Sequence, residues 1–211
     1  TLRDAILYIT EKSVQNIVVS DEDVDLYAYI GVDEVVKFAS QNIPTSTALS
    51  DLGLHPLVVL PKDYDVLKAS SYFINEVSLL GVADENGALF GVISRFDMLS
   101  IGSSINKKLM ESPIEIMLVT NNTVNASLDD RLASHLDTLS EQYIDCIIVH
   151  ENEIPVGILT KRDVTRLLAC EQSMESSLKE IMSSPILTFN YSISIQEALE
   201  SIQKQKHTRI I

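Results

Sequence analysis

Gly157-Ile158-Leu159-Thr160-Lys161-Arg162-Asp163-Val164-Thr165 has a counterpart 66 residues earlier, Gly91-Val92-Ile93-Ser94-Arg95-Phe96-Asp97-Met98-Leu99, and both copies come after an apolar run. A worn third copy reads Tyr27-Ala28-Tyr29-Ile30-Gly31-Val32-Asp33, with Asp33 in the aspartate position and Ile30 in place of the hydroxyl residue. Self-similarity at this spacing marks a chain assembled from one unit used several times, in which neighbours cover each other's apolar faces. The start of the unit recurs as well. Thr1-Leu2-Arg3-Asp4, Asp65-Val66-Leu67-Lys68, Ser127-Leu128-Asp129-Asp130 and Ser194-Ile195-Gln196-Glu197 each set an oxygen-bearing side chain before an apolar-periodic segment. Three of the four carry an acid three residues on, the capping-box pattern of a helix start.

Between these landmarks the periodicity changes in a fixed order. Leu128, Leu132, Leu136 and Leu139 form one face of a helix predicted over 127–142. Two strand-like runs come next, 144–149 and 154–159, joined by the polar turn His150-Glu151-Asn152-Glu153, which reads as a hairpin. The same hairpin is predicted at 77–82 and 89–93 around Asp84-Glu85-Asn86-Gly87, and at 16–19 and 25–30 around Ser20-Asp21-Glu22-Asp23. A second helix then begins near Asp33, Asp97 and Asp163. Linkers share a signature: Leu109-Met110-Glu111-Ser112-Pro113-Ile114 pairs with Ile181-Met182-Ser183-Ser184-Pro185-Ile186, and Leu52-Gly53-Leu54-His55-Pro56-Leu57 is a looser relative. Proline pushes the preceding residue toward extended geometry, so each linker is expected to launch a short entry strand. The unit is β-α-β-β-α, and the fold class α/β (α+β), with small mixed sheets flanked by helices.

Composition limits the function classes. With 30 acids against 16 bases, a net charge of −14 and a pI near 4.6, the chain is unsuited to long nucleic acids, whose phosphates require clustered Lys and Arg. No apolar stretch approaches the roughly 18 residues of a membrane span, and no secretory signal is visible. Cys146 and Cys170 lack paired spacing, which fits a reducing, cytoplasmic setting. Asp21, Asp23 and Asp25 imitate the first positions of a calcium loop, but Leu26 and Val32 stand where Gly and Glu are needed. His55, His135, His150 and His207 have no ligand spacing. Neither a nucleophile elbow nor a phosphate-cradling glycine loop occurs, so no catalytic or metal apparatus can be assembled.

The length and order of the unit, the Ser-Pro linkers and the closing phrase Gly-hydrophobic-hydrophobic-Ser/Thr-x-x-Asp closely resemble the CBS domain, named after cystathionine β-synthase. The resemblance implies four repeats, 1–45, 46–103, 104–173 and 174–211, packed sheet to sheet in pairs (one with two, three with four) as Bateman modules. It also implies that the first repeat lacks its entry strand, that the fourth stops within its first hairpin strand, and that the sequence is a piece of a longer protein.

By the same resemblance, clefts between repeats hold an adenosine-containing ligand such as AMP, ADP or ATP, as a regulatory ligand and not a catalytic cofactor. The set implied for repeat three is Thr160, Lys161, Arg162 and Asp163, with Ile114 and Ile144 near the base. For repeat two it is Ser94, Arg95 and Asp97, with Val58 and Val77. Physically, a strand running straight into a helix aims free N–H groups at one spot, where a phosphate is stabilised, and the aspartate can accept from ribose hydroxyls. The bland alternative is that Thr160/Asp163 and Ser94/Asp97 are only capping boxes. The basic residues within the phrases favour a ligand, since a cap has no use for them. The functional expectation is therefore a sensor that passes a ligand-dependent shift to an attached effector outside this sequence, and the pairing habits of such sheets point to a homodimer; the alternative is a ligand-free association module.

Overall fold

The computed structural model describes residues 1–21, 26–74, 77–94, 97–98, 110–117, 124–141 and 144–205. They divide into two compact units: Thr1–Ile17, Ile30–Leu54 and Pro113–Ile211 in one, Val18–Tyr29 and His55–Ser112 in the other. The helices predicted for repeat one thus fall in the same unit as repeats three and four. The outer part of its hairpin falls with repeat two.

In the first unit α1 (Leu2–Lys12) starts on a Thr1/Asp4 capping box and ends at Ser13, which adopts a left-handed conformation at φ 55°. α2 (Val32–Ser40) comes after the hairpin of β1 (Asn16–Asp21) and β2 (Leu26–Gly31). In the second unit β3 (His55–Pro56) pairs antiparallel with Ala28 and Tyr29 of β2. Next come β4 (Val58–Pro61), α3 (Val66–Ser70), β5 (Leu79–Ala83) and β6 (Leu89–Ser94). The chain re-enters the first unit with β7 (Val124–Ser127), a 3-10 turn at Leu132–His135, α4 (Leu136–Ser140), β8 (Cys146–Glu151), β9 (Ile154–Thr160) and α5 (Lys161–Ala169). α6 (Leu178–Ile181) and α7 (Ile195–Gln205) complete it.

Two of the three sheets described repeat one plan. β4 runs parallel to β5, which pairs antiparallel with β6, and β7, β8 and β9 do the same. This is the mixed sheet that the β-α-β-β-α order dictates, because the entry strand returns through a helix while the hairpin turns directly. Across the last hairpin Glu151 faces Ile154, so the turn is two residues long, Asn152 and Glu153, at φ 50° and 65°. That is the twist-matched type of hairpin turn, and it is tighter than the four-residue turn expected from sequence. β8 and β9 lie in a core with Leu132, Leu139, Ile147 and Leu159 fully buried, and α2 adds Val36 to it. In the second unit Leu60, Ala69, Phe73 and Leu80 form a separate cluster.

Three expectations fail, the first being that the Ser184-Pro185 linker launches an entry strand: residues 186–190 form no strand. The helix predicted over 127–142 is broken: Ser127 ends β7, Leu128–Asp130 form a turn, and α-helix begins only at Leu136. The periodicity survives because a 3-10 turn and the helix after it present Leu132, Leu136 and Leu139 to the same core. The entry strand of repeat three is also not at Ser112-Pro113-Ile114. Ile114–Met117 is a 3-10 turn, and the strand is β7. The stretch 112–117 therefore matches Ser177–Met182, which holds α6, and the Ser184-Pro185 linker has no equivalent before repeat three.

Glu153 occupies a left-handed conformation that a side chain disfavours. Glu153→Gly is expected to raise the unfolding free energy by up to about 1 kcal/mol, relief of strain outweighing the added freedom of the unfolded chain. Urea denaturation measures this, and a lowered midpoint contradicts it.

Candidate functional site

β9 runs into α5 without a loop, and Thr160 occupies the junction. Its Oγ1 accepts the Asp163 N–H at 3.3 Å and donates to Asp163 Oδ2 at 2.7 Å, and Oδ2 also accepts the Thr160 N–H at 2.9 Å. The helix start is thereby satisfied reciprocally. Ser94 and Asp97 reproduce the arrangement: Oγ to Oδ2 2.6 Å, Ser94 N–H to Oδ2 2.8 Å, Asp97 N–H to Oγ 3.3 Å. Both phrases thus build the same corner. The two hydrogen bonds from Ser94 hold the Asp97 carboxyl below the ordinary carboxylate range. Asp130, in the turn after β7, and Glu197, in the first turn of α7, are lowered likewise, chiefly by the backbone N–H groups of Ser127 and Ser194.

The first repeat carries the corner in another register. Gly31 is the residue before α2, and its N–H donates to Glu34 Oε2 at 2.7 Å. Gly31 therefore takes the place of Thr160 and Glu34 that of Asp163, which corrects the alignment of Asp33 with Asp163 by one residue. A Cβ on Gly31 would collide with Asn16 Oδ1 and lie 2.8 Å from the Gln15 carbonyl oxygen, so no hydroxyl residue fits there. Asp33 is left in the position of Arg162.

Asp33 meets the third repeat instead. Lys161 is 3% exposed, and its Nζ donates to Asp33 Oδ1 at 2.7 Å and to the Glu141 carbonyl at 3.2 Å. The packing of α2 on α4 and α5 buries the lysine stem and leaves the ammonium this one carboxylate. Its charge is spent within the protein.

Arg162 stands apart from both pairs. It is half-buried and makes no hydrogen bond or ion pair with any described residue. Asp163 Oδ1 is 3.4 Å from Arg166 Nη1. Ile144 is buried in the core beside β8, one residue before Asp145, whose carbonyl accepts the Lys161 N–H at 3.4 Å. Ile114 is bonded through its N–H to the Ile193 carbonyl at 2.8 Å, and so adjoins the fourth repeat. In the second unit Val58, Val77, Ile93 and Met98 pack on one cluster, which brings Val58 and Val77 toward the Ser94/Asp97 corner. Arg95 lies outside the described residues, as do Asp23, Asp25 and His207.

Among the described residues no group of three or more His, Cys, Asp or Glu could hold a metal ion, and no helix is long and apolar enough to cross a membrane. Sequence reading overlooked the Lys161–Asp33 pair, whose members are 128 residues apart, and the carboxylate of Glu34. Glu34 had a signal, since it precedes Val35 as Asp163 precedes Val164.

Two outcomes are expected. Asp33→Asn leaves the buried ammonium with a carbonyl and a neutral amide, at a cost of about 1–3 kcal/mol, below that of breaking a fully buried pair because Asp33 is half exposed. Lys161→Met removes the charge while keeping the stem and costs less; chemical denaturation of both variants gives the order, and the reverse order refutes this account of the pair. The second outcome concerns acid. A carboxylate whose folded pKa is depressed contributes stability above its unfolded value and loses it as pH falls through the folded one. Stability is therefore expected to fall as pH drops below about 4, and Asp97→Asn to show a shallower fall in melting temperature between pH 5 and pH 3.

A CBS domain family model matches residues 178–211. Among curated proteins nothing matches the chain. A crystal structure of a protein from Methanocaldococcus jannaschii, proposed as an archaeal homologue of γ-AMPK, superposes over 100% of this chain and 86% of its own, with a TM-score of 0.78 and 16% identity. A conserved protein of uncharacterised role from Pyrococcus horikoshii covers 93% of this chain and 82% of its own, with a TM-score of 0.58 and 15% identity. A CBS domain protein from Pyrobaculum aerophilum complexed with AMP covers 47% of this chain and 78% of its own, with a TM-score of 0.41 and 15% identity. Residues 178–211 thus match the CBS domain model, and from end to end the chain has the mixed α/β fold of tandem CBS-domain proteins.

Proposed function

We propose that this CBS-domain regulatory module senses an adenosine-containing ligand of the AMP, ADP or ATP type and passes the resulting shift to an attached effector. The reading is carried by Arg162: beside a corner whose hydroxyl and carboxylate satisfy each other, an arginine is held half-buried without a partner among the described residues. In a chain of net charge −14 with acids in surplus, such a cation is suited to an anionic guest. Thr160 and Asp163 then supply the polar edge, Asp163 accepting from ribose hydroxyls through Oδ1, its more weakly engaged oxygen. Ile144 sits at the base side. The same roles fall to Ser94 and Asp97 in repeat two, with Val58 and Val77. Lys161 has no part in holding phosphate, because its ammonium is engaged by Asp33. The fold shared with the proposed archaeal homologue of γ-AMPK agrees with a regulatory task.

The second reading, a ligand-free association module, draws on the closed state of both boxes and on the exposure of Phe90 (79%) and Val92 (47%) along β6. The two readings part on ligand-dependent melting. The sensor is expected to gain about 2.7 kcal/mol at a hundredfold excess of AMP, ADP or ATP over Kd. Asp163→Asn, which keeps an acceptor for the cap, is expected to retain the fold and lose most of that gain. A melting temperature indifferent to all three nucleotides, with a concentration-dependent dimer by sedimentation, establishes the association module instead.

A further inference from the structure

A cavity of about 40 Å³ lies between the end of α1 and the exposed side of α5, within the first unit. A single water needs about 10–15 Å³ by the same measure, so there is room for a larger group. Ile9 and Val14 wall it, and its polar lining comes from Thr10, Ser13, Arg162, Arg166 and Thr165, whose hydroxyl donates to the Lys161 carbonyl. Thr10 Oγ1 is buried and has no hydrogen-bond partner among the described residues. A hydroxyl in that state is costly unless something completes it. Among the described residues Arg162 is equally without a partner, and Arg166 has only the 3.4 Å approach to Asp163.

The arginines are not needed to cap α1. The carbonyls of Ile9 and Thr10 already accept from the N–H groups of Ser13 and Val14. Two guanidinium groups and the hydroxyls of Thr10 and Ser13 therefore converge on one small space whose lining side chains include no carboxylate. We infer that this cavity is an oxyanion site, which takes a phosphate group, either free or borne by a nucleotide. Arg162 and Arg166 grip the charge, Thr10 and Ser13 donate to its oxygens, and the apolar walls strengthen these bonds by excluding water. The inference shares Arg162 with the proposed nucleotide reading, but Thr10, Ser13 and Arg166 lie outside the set assigned there, so the two can be tested apart.

Calorimetric titration of the full chain with inorganic phosphate, against sodium chloride at equal ionic strength, tests it. Saturable binding is expected, weakened about tenfold or more in Arg162→Met and measurably in Thr10→Val and Arg166→Met. Thr10→Val is isosteric and removes only the unpartnered hydroxyl, so it keeps the test open should an arginine variant fail to fold. AMP and adenosine identify the source. If Thr10→Val weakens AMP and spares adenosine, the phosphate belongs to the nucleotide; if it weakens inorganic phosphate and spares AMP, the site serves free phosphate. Phosphate binding by a chain whose melting is indifferent to AMP, ADP and ATP refutes the nucleotide reading and leaves this one standing. Absence of saturable phosphate binding, or binding equal in wild type, Arg162→Met and Thr10→Val, overturns it.

Discussion

A strand that turns into a helix without a loop strips several consecutive N–H groups of acceptors, and this chain meets that constraint at every such corner described. Thr160 with Asp163, Ser94 with Asp97 and Gly31 with Glu34 are three chemical solutions to the same geometric problem. In each a single carboxylate three residues into the helix reaches back to the strand. The direction in which a helix leaves its sheet is set by that tie, and with it the side of the sheet that the helix covers. Arg162 and Lys161 inherit their positions from it as well. One sits beside the tie without a partner among the described residues, and the other is carried inward to Asp33.

The Lys161–Asp33 pair gives the first unit a polar link between segments distant in sequence. A buried pair of this kind adds little net stability compared with apolar residues of like volume, but it penalises any packing of α2 on α5 that separates the two charges. The helices of the first repeat are thereby fixed against those of the third. Regulation by a guest at the Thr160 corner would have to work with this link intact or break it, because Lys161 and Thr160 are neighbours on one short backbone path.

Legibility in the sequence tracked how local the cause was. Hairpins and the helix starts at Thr1, Asp65 and Ser194 were readable because alternation and capping chemistry act within a few residues, though Ser127 makes the same carboxylate tie without a helix after it, and Ile147, Leu159 and Val164 lie buried as the periodicity requires. The entry strand of repeat three was not. Val124-Asn125-Ala126-Ser127 is short and half polar, and its strand character comes from pairing with β8. The Ser-Pro signature at 112–113 drew the strand to the wrong place, since proline disfavours helix in the residue ahead of it but leaves the conformation of later residues open. Gly31 hid the first corner because a residue with no side-chain oxygen does not look like a cap. At the candidate site, Thr160, Arg162 and Asp163 were visible as a phrase, whereas the burial of Lys161 and the unpartnered Thr10 hydroxyl arise from packing between helices and leave no local trace.

The two glycines that open the closing phrases are alike in sequence and unlike in surroundings. Next to Gly157 the thioether of Met182 fills the space that a Cβ would occupy, while nothing described lies within 4 Å of the corresponding point on Gly91. A side chain at Gly91 therefore displaces no described neighbour, whereas one at Gly157 requires the Met182 side chain to move. A profile that weights both glycines equally would rank the second repeat too low as it diverges and would mistake a packing partnership in the third for a mark of ligand recognition.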